Sequence, residues 1–509
     1  MDYVFTTYTV GLTPYLIKCE ISSKKHIKFK LSFIGASFTF GSNFLKKFLA
    51  ICDILDIPLP NEEFVINLVP SDLKKDSSSM DLAVAILILK RLGILSSKFK
   101  TIFKNSIILG ELSINGNVIP VKNVISSALY MNAFKIKSLI VPTLNKNECE
   151  CITKGSFYSI SNIEELLINQ ALNKIEYTPL SKEKSISLDF DDVHGNDTAK
   201  RALMICAAGK HNVILCGPPG CGKSMLSKRV PAILPSLSSE EALEVARIYS
   251  SAGLLNHQTL NSTPPFRSPH HSITKAGLLG GGTGSTLYPG EVTLSHRGIL
   301  FLDEFSEFSK RSIEGLRECL EEKKINIKRG DGAETFPTSF ILIAALNPCP
   351  CGFFGQKGNK CRCSFSQIRY YLSKLSGPLL DRIDLQLFMQ GVNLQEIKQN
   401  KPLLSSNEIK DRIKLAIEMQ IKRNGINIYN NDVPSSQIKD LFNIDQSAQC
   451  FLDSLYEDGQ LSLRRYYKIL RISRTIADLD GSPTLKYTHI FETLSYQAID
   501  KLFSQFQVS

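Results

Sequence analysis

Residues 217–224 have the types and spacing of a phosphate-binding loop. They read Gly-Pro-Pro-Gly-Cys-Gly-Lys-Ser, a complete P-loop. Its glycines let backbone N–H groups form a nest that faces phosphate oxygens, its lysine reaches the β- and γ-phosphates, and its serine hydroxyl ligates Mg²⁺. ATP contacts are therefore expected from Gly217, Pro218, Pro219, Gly220, Cys221, Gly222, Lys223, Ser224 and Met225.

An acidic pair follows a second apolar run, residues 299–302. Asp303 is expected to hold Mg²⁺ through water, as in P-loop ATPases, and Glu304 to polarise the attacking water as general base. Alone, the pair would equally fit a surface turn, but the P-loop in the same chain favours ATP hydrolysis. A third run, residues 340–345, leads to Asn347, which either orients the lytic water or simply forms a turn.

Two basic features are ambiguous by spacing alone. Arg382 stands between Asp381 and Asp384, either as a surface ion pair or as an arginine finger that reaches a neighbouring subunit's γ-phosphate. Residues 462–474 predict an amphipathic helix with a basic face. That face is either solvated or supplies an arginine to the nucleotide.

Four cysteines form two closely spaced pairs. Cys349, Cys351, Cys361 and Cys363 have the number and spacing to bind a structural Zn²⁺ tetrahedrally, stapling a loop that lacks its own core. Free reduced thiols are the alternative.

Composition sets broad limits on the function. The chain has 509 residues and a net charge of +11, which fits either a nucleic-acid partner or merely lysine-rich solvated faces. No secretory signal is visible, and the longest apolar run, residues 82–89, is too short to span a bilayer. We therefore expect no membrane partner, a soluble cytoplasmic protein, and thiols that are reduced or metal-bound.

The chain divides into predicted units. Residues 1–172 alternate strand-like and helix-like runs, a mixed α/β pattern, and residues 173–188 are polar and aperiodic, like a linker. Residues 189–393 hold the three apolar strands and predict a parallel sheet with right-handed crossovers, including a helix over 225–230. Residues 394–509 predict a helical unit.

Several motifs together resemble a known family. Their order along the chain is 189–195 (Asp-Phe-Asp-Asp-Val-His-Gly), the P-loop, 265–272 (Pro-Phe-Arg-Ser-Pro-His-His-Ser), 289–291 (Pro-Gly-Glu), 302–305, 347–352 (Asn-Pro-Cys-Pro-Cys-Gly) and 377–384. This set is similar to that of the YifB/ComM family of magnesium-chelatase-like AAA+ ATPases, over nearly the whole chain.

The resemblance implies a P-loop AAA+ core, flanked by helices, in a hexameric ring. Val193 and Gly195 would line the adenine pocket, Asn347 would be sensor 1, Arg382 the arginine finger, and Arg464 the sensor-2 arginine of a helical C-terminal lid. Residues 262–296 would hold a helix-2 insert. Residues 324–336 would form a pre-sensor hairpin facing the pore, with Lys328 and Arg329 available to a DNA backbone or an acidic protein.

For function, the resemblance implies ATP-driven remodelling of DNA, as in the branch-migration helicase activity of ComM proteins during natural transformation and recombination. Two alternatives stay open: a magnesium-chelatase-like ATPase acting on a protein client, and a scaffold that binds ATP and barely hydrolyses it. The intact acidic pair and Arg382 argue against the scaffold.

The first unit resembles the Lon-protease-like domain of this family. Ser79 aligns with the nucleophile of the Lon Ser–Lys dyad, but Ile125 stands where the lysine belongs and Lys122 lies one helical turn earlier. Because a serine without a base is a poor nucleophile, we expect no protease activity.

Overall fold

The computed structural model describes residues 2–71, 75, 77–95, 97–168, 171–179, 188–256, 260–283, 286–329, 332–355, 361–375, 377–391, 405–426 and 428–497. The predicted linker, 173–188, lies partly outside these ranges, at residues 180–187. The predicted boundary at 393–394 also lies outside them, within residues 392–404. Within the ranges, no helix combines the length and the apolar character needed to cross a membrane.

The N-terminal part has a mixed α/β architecture, in which helices pack on a β-sheet. Its strands are β1 Asp2–Val10, β2 Thr13–Lys25, β3 Lys30–Ile34, β4 Glu62–Val69, β5 Ser106–Ile108, β6 Glu111–Leu112, β7 Val118–Ile119, β8 Ser138–Pro142, β9 Ser156–Ile160 and β10 Asn173–Ile175. Its helices are α1 Phe38–Ile54, α2 Asp81–Arg91, α3 Ser97–Lys104, α4 Val124–Tyr130, α5 Lys146–Glu150 and α6 Glu164–Leu167.

Eight of these strands form one sheet in the order β10-β9-β8-β5-β1-β2-β4-β3, with both parallel and antiparallel pairs. Helix α2 is buried along residues 81–89, which explains its unbroken apolar run. The first residues of the predicted linker are not a linker: Asn173–Ile175 pair with β9 as an edge strand, because Ile175 has a place in the core.

The central part is built on a parallel sheet. Its strands are β11 Val213–Cys216, β12 Phe266–Arg267, β13 Gly280–Thr283, β14 Thr286–Pro289, β15 Ile299–Leu302, β16 Lys324–Arg329, β17 Gly332–Pro337, β18 Ile341–Leu346 and β19 Leu385–Phe388. Its helices are α7 Asp197–Gly209, α8 Lys223–Ser227, α9 Val230–Ile233, α10 Ser239–Ala252, α11 Lys275–Leu279, α12 Glu291–Leu294, α13 Lys310–Glu322, α14 Phe365–Ser373 and α15 Gly377–Leu380.

Five strands of this part form the sheet in the order β12-β15-β18-β11-β19, and all its neighbours are parallel. The three strands predicted from apolar runs are its middle members, and their carboxyl ends meet at one edge. The single helix predicted over 225–230 is instead divided between α8 and α9, because Pro231 has no N–H to continue the ladder.

Two β-hairpins project from this core. The first, β13–β14, lies between α11 and α12, so that it interrupts a helical segment. The second, β16–β17, follows α13. The hairpins touch, since an ideal Cβ on Gly280 would lie 2.3 Å from Ile327 Cδ1.

The C-terminal part is helical, as the sequence predicts. Its helices are α16 Ser406–Asn424, α17 Ile438–Leu441, α18 Gln446–Glu457, α19 Leu463–Leu479 and α20 Tyr487–Ser495. The apolar face of α19 is buried at Ile469, Ile472 and Ile476, and the last two pack into the core that contains α7 and β11.

Among the described residues, the N-terminal part contacts helix α10 and the hairpin β16–β17 of the central part. The Arg247 guanidinium on α10 donates to Leu12 O at 2.5 Å and to Ser126 Oγ at 3.1 Å. On the hairpin β16–β17, Glu334 Oε1 accepts a hydrogen bond from Thr13 Oγ1 at 3.1 Å.

Candidate functional site

The P-loop connects β11 to α8 at the carboxyl edge of the parallel sheet. Gly220 and Gly222 have φ of +77° and +94°, which side chains rarely adopt, so the sequence needs glycine at both turns. The Lys223 ammonium is buried and donates to Gly217 O at 2.6 Å and Pro218 O at 2.9 Å. The lysine side chain is thus held in place by the backbone carbonyls at the start of the loop.

The tips of two neighbouring strands complete this site. Asn347, just beyond β18, accepts from Lys223 Nζ at 3.2 Å. Asp303, just beyond β15, accepts from the Ser224 hydroxyl at 2.6 Å. Lysine, serine, aspartate and asparagine therefore converge at one edge, as the order of parallel strands requires.

Glu304 lies at the open side of this group. Its backbone is left-handed, with φ +50°, and its side chain is 57% exposed. Its carboxylate lies 3.1 Å from Nδ1 of His271. The Glu304 carboxylate is thus exposed at the open side of the site, beside Asp303 and paired with His271.

The segment 190–196 runs beside the P-loop. Val193 is buried, Gly195 has φ +66°, and Asn196 donates from Nδ2 to Cys221 O at 3.1 Å. Arg229, just after α8, fastens the start of this segment by donating to Asp189 O at 2.6 Å. The two predicted adenine-pocket residues therefore belong to a segment attached to the P-loop.

Arg382 lies at the opposite edge of the sheet from the P-loop. Its carbonyl accepts from Asn212 Nδ2 at 3.4 Å, and Asn212 directly precedes β11, whereas the P-loop follows it. A four-residue strand separates the two by about 10 Å or more. The Arg382 backbone therefore lies at the end of β11 opposite the P-loop of the same chain.

Arg464 joins Arg382 at that edge. Both arginines contact Glu321 at the end of α13, Arg382 at 2.6 Å and Arg464 at 3.5 Å. The hydrogen bond from Arg382 holds the pKa of Glu321 below its ordinary value. The structure therefore brings the two predicted arginines together, but away from Lys223 and its neighbours.

The four predicted metal ligands form a cluster. Sγ of Cys349 lies 3.3 Å from that of Cys351 and 3.7 Å from that of Cys361, the Cys351–Cys361 distance is 3.5 Å, and all four sulfurs, including that of Cys363, lie within 4.8 Å of one another. Four thiolates at about 2.3 Å from one Zn²⁺ have sulfurs about 3.8 Å apart, so this donor set fits zinc.

The candidate Lon-type serine lies in the N-terminal part. Ser79 belongs to the 3-10 turn Ser78–Met80, and its hydroxyl lies 2.8 Å from Ser77 Oγ. Ile125 is fully buried in α4. Of the residues just before this turn, 72–74 and 76 lie outside the described ranges.

Sequence reasoning missed three partners. His271 belongs to the quoted Ser-Pro-His-His motif, which could have directed attention to it, but Asn196 and Glu321 carried no signal because their partners are distant in sequence. Arg267 of the same motif forms a bidentate ion pair with Glu291, from Nε to Oε2 at 2.6 Å and from Nη2 to Oε1 at 2.7 Å. These contacts fix the segments around the predicted site.

The all-parallel sheet with a P-loop after β11 and an acidic pair after β15 defines a P-loop protein with an AAA+-type fold. Residues 189–397 match the family described as magnesium chelatase, subunit ChlI; residues 404–497 match its C-terminal family, and residues 45–145 match subunit ChlI of Mg-chelatase. The chain belongs to the YifB/ComM family of magnesium-chelatase-like AAA+ ATPases.

Two relatives illustrate this membership. The uncharacterized protein YifB of Escherichia coli K12 is 35% identical over 457 residues, covering 88% of this chain and 87% of its own. The competence protein ComM of Haemophilus influenzae is 36% identical over 459 residues, covering 87% of each. A shorter match, 25% identical over 170 residues, covers 31% of this chain and 17% of the DNA replication licensing factor mcm2 of Xenopus tropicalis.

Proposed function

We propose that the chain hydrolyses ATP at the edge formed by the P-loop, Asp303 and Asn347. The convergence of Lys223, Ser224, Asp303 and Asn347 within hydrogen-bond distances carries this proposal. Glu304 acts as general base, and Asn347 orients the water or the γ-phosphate. Val193 and Gly195 line the adenine pocket.

Mg²⁺ supplies charge neutralisation and orientation of the phosphate oxygens when it is bound. The Ser224 hydroxyl and the Asp303 carboxylate would hold it, since both are oxygen donors and lie 2.6 Å apart. Lys223 exchanges its carbonyl partners for β- and γ-phosphate oxygens when ATP enters.

The active unit in this proposal is a ring, of six chains by family precedent. Arg382 and Arg464 lie together at the edge of the sheet opposite the P-loop. Only a neighbouring chain's nucleotide is within reach of that edge, so we assign Arg382 as arginine finger and Arg464 as sensor 2 to the adjacent site. Residues 394–509 act as the lid that carries Arg464.

We propose DNA, single-stranded or branched, as the partner, with ComM-like branch migration or helicase activity in the cytoplasm. This proposal is supported by the net charge of +11, by the exposed Lys328 near the tip of hairpin β16–β17, and by the similarity to a competence protein and to a DNA replication licensing factor. Arg329 belongs to the same strand. The insert β13–β14 and this hairpin would face the pore.

A protein client is the second candidate. The family that matches residues 189–397 is described as a subunit of magnesium chelatase, an enzyme of several subunits. An acidic protein surface would satisfy Lys328 as well as a phosphate backbone does. The two candidates share the ATP site and differ only in what the ring acts on.

Two further assignments complete the proposal. Residues 1–172 form a Lon-protease-like domain without protease activity, because Ile125 replaces the lysine that would activate Ser79. Cys349, Cys351, Cys361 and Cys363 bind one structural Zn²⁺, since their sulfurs have the separation of a zinc tetrahedron.

The deciding experiment measures the ATPase rate alone and with single-stranded DNA, duplex DNA or a mobile four-way junction, at about 50 and 200 mM salt. Stimulation by one DNA form that weakens at the higher salt is expected. Turnover that ignores every DNA would reject the DNA motor and favour the protein client. A wild-type rate equal to that of Lys223→Ala would reject the ATPase itself.

A further inference from the structure

The four cysteines belong to a substructure that lies directly on the ATP site. We call its described residues, 349–355 and 361–375, the cysteine module. Cys349 is fully buried and packs against Ile368, Tyr371 and Leu372 of α14. These few side chains are the module's own core, so the sulfur cluster is its main internal connection.

The module contacts the P-loop through a glycine. Gly352 has φ +83°, and an ideal Cβ there would lie 2.6 Å from Pro219 Cδ and 3.9 Å from Asn347 Cγ. Its N–H donates to Cys349 O at 2.9 Å, which closes the turn that holds both metal-ligand candidates of the first pair. The turn therefore supports one wall of the phosphate-binding loop.

The module is also continuous with the strand tip that carries Asn347. Asn347 lies two residues before Cys349, and Leu346 O accepts from the Gly217 N–H at 3.1 Å. A displacement of Cys349 would therefore pull on the side chain that contacts Lys223 and on the first peptide of the P-loop.

A third contact reaches the acidic loop. The Tyr371 hydroxyl is hydrogen-bonded to the hydroxyl of Ser306, two residues after Glu304. The module thus touches the P-loop, the Asn347 strand tip and the Glu304 loop at once.

We propose that a Zn²⁺ ion bound by Cys349, Cys351, Cys361 and Cys363 sets the geometry of the ATP site, so that ATP turnover requires the metal. The inference rests on the ATPase proposed above and adds metal control to it. Loss of the ion disconnects residues 349–352 from 361–363. Pro219, Asn347 and Glu304 then lose their common support, and misplacements of about 1 Å cost on the order of 100-fold in rate.

The first test compares metal content and turnover in full-length variants. Wild type, expressed with zinc, should hold about one Zn²⁺ per chain by elemental analysis. The double variant Cys361→Ser, Cys363→Ser should lose the zinc and about 10- to 100-fold of the ATPase rate. Cys450→Ser removes an exposed cysteine outside the module and should change neither.

The second test separates coupling from metal binding. Gly352→Ala should keep its zinc but lose turnover, because its methyl group would meet Pro219 at a distance no side chain tolerates. Gly355→Ala imposes similar backbone strain, with φ +76°, but faces Phe388 at 3.2 Å rather than the P-loop. It should keep both zinc and most of the rate.

A third test distinguishes the loss of zinc from misfolding of the variants, by removing zinc from the wild type and adding it back. Wild type stripped of zinc by a chelator, desalted and assayed with Mg²⁺ should be slow, and added Zn²⁺ should restore the rate. Wild type that holds no zinc, or holds iron instead, would overturn the metal assignment. Zinc-free protein or Gly352→Ala with an undiminished rate would overturn the coupling.

These outcomes are distinct from failure of the ATPase proposal. Metal content is measured without ATP, so zinc in a wild type that neither binds nor hydrolyses ATP would leave the metal site standing. The same result would overturn the metal control of turnover together with the proposed function.

Discussion

Two polar side chains of the P-loop each contact a residue at the tip of a different strand. Lys223 contacts Asn347 from β18, and Ser224 contacts Asp303 from β15. Two hydrogen-bonded pairs therefore connect the P-loop to the strand tips, with Glu304 beside the second pair. Changes to single members of this group should have separable effects on binding and on turnover.

Lys223→Ala should abolish ATP binding, because its ammonium, which lies at the Gly217 and Pro218 carbonyls, is the charge expected to meet the β- and γ-phosphates. Titration with a fluorescent ATP analogue measures this. Lys228→Ala, at an exposed position just past α8, is the matched control and should bind like wild type. Retained affinity in Lys223→Ala would reject the P-loop assignment.

Glu304→Gln should bind ATP normally and lose about 10²- to 10⁴-fold in turnover, the usual contribution of a general base. Single-turnover hydrolysis after ATP binding measures the effect. Glu307→Gln changes another carboxylate of the same loop, one that lies 3.7 Å from Lys374, and should hydrolyse normally. A normal rate in Glu304→Gln would exclude it as the base.

At the scale of elements, the hairpin β16–β17 is the candidate for contact with the substrate of the motor. It lies against the insert β13–β14 and presents Lys328 to solvent. Its side chains Ile325, Ile327 and Phe336 are buried in the core shared with the parallel sheet, so the hairpin is anchored there while Lys328 stays exposed. The positive charge of Lys328 would then favour binding of DNA or of an acidic protein.

Lys328→Ala should weaken DNA binding and make its salt dependence shallower by about 0.9 in the slope of log K against log salt, the value for one lost phosphate contact. Fluorescence anisotropy at several salt concentrations measures both. Lys324→Ala, at the base of the same strand, should leave the slope unchanged. An unaltered slope for Lys328→Ala would place DNA elsewhere.

The elements differ in how far the sequence could predict them. The strands at 213–216 and 299–302 were predictable because they are apolar runs that end in polar chemistry, and parallel strands end at a common edge. The Cys-x-Cys pairs were predictable as a cluster from their spacing. The break between α8 and α9 was missed although Pro231 signals it locally.

Contacts between distant elements could not be predicted. The meeting of Arg382 and Arg464 on Glu321, the His271–Glu304 pair and the Tyr371–Ser306 hydrogen bond each join segments with no shared local pattern. The edge strand Asn173–Ile175 could not be predicted either, because a strand with a single buried side chain shows no hydrophobic periodicity. Such pairings depend on the tertiary packing as a whole.

At the scale of the whole molecule, the position of Arg382 predicts shared active sites. Arg382→Ala should bind ATP yet lose about 10³- to 10⁵-fold in turnover, as for other arginine fingers. Mixing it with Glu304→Gln chains should partly restore hydrolysis, because some sites then combine an intact base with a neighbour's arginine. ATPase assays across mixing ratios measure this.

The matched control replaces Glu304→Gln with the double variant Arg382→Ala, Glu304→Gln, which has no arginine to donate and should give no rescue. Equal rates in the two mixtures would contradict a finger that acts between chains. Arg369→Ala, at an exposed position in α14, should behave like wild type throughout.

The turn between β1 and β2 lies against the hairpin at Gly11, where an ideal Cβ would be 2.3 Å from Glu334 Cγ, and Thr13 bonds the Glu334 carboxylate. Because β1 and β2 are inner strands of the N-terminal sheet, this turn is held rigidly by the sheet. Under the proposed motor function, any movement of the hairpin during ATP turnover must either carry this turn with it or break the hydrogen bond between Thr13 and Glu334. The N-terminal sheet would then resist that movement through the turn, even without chemistry of its own.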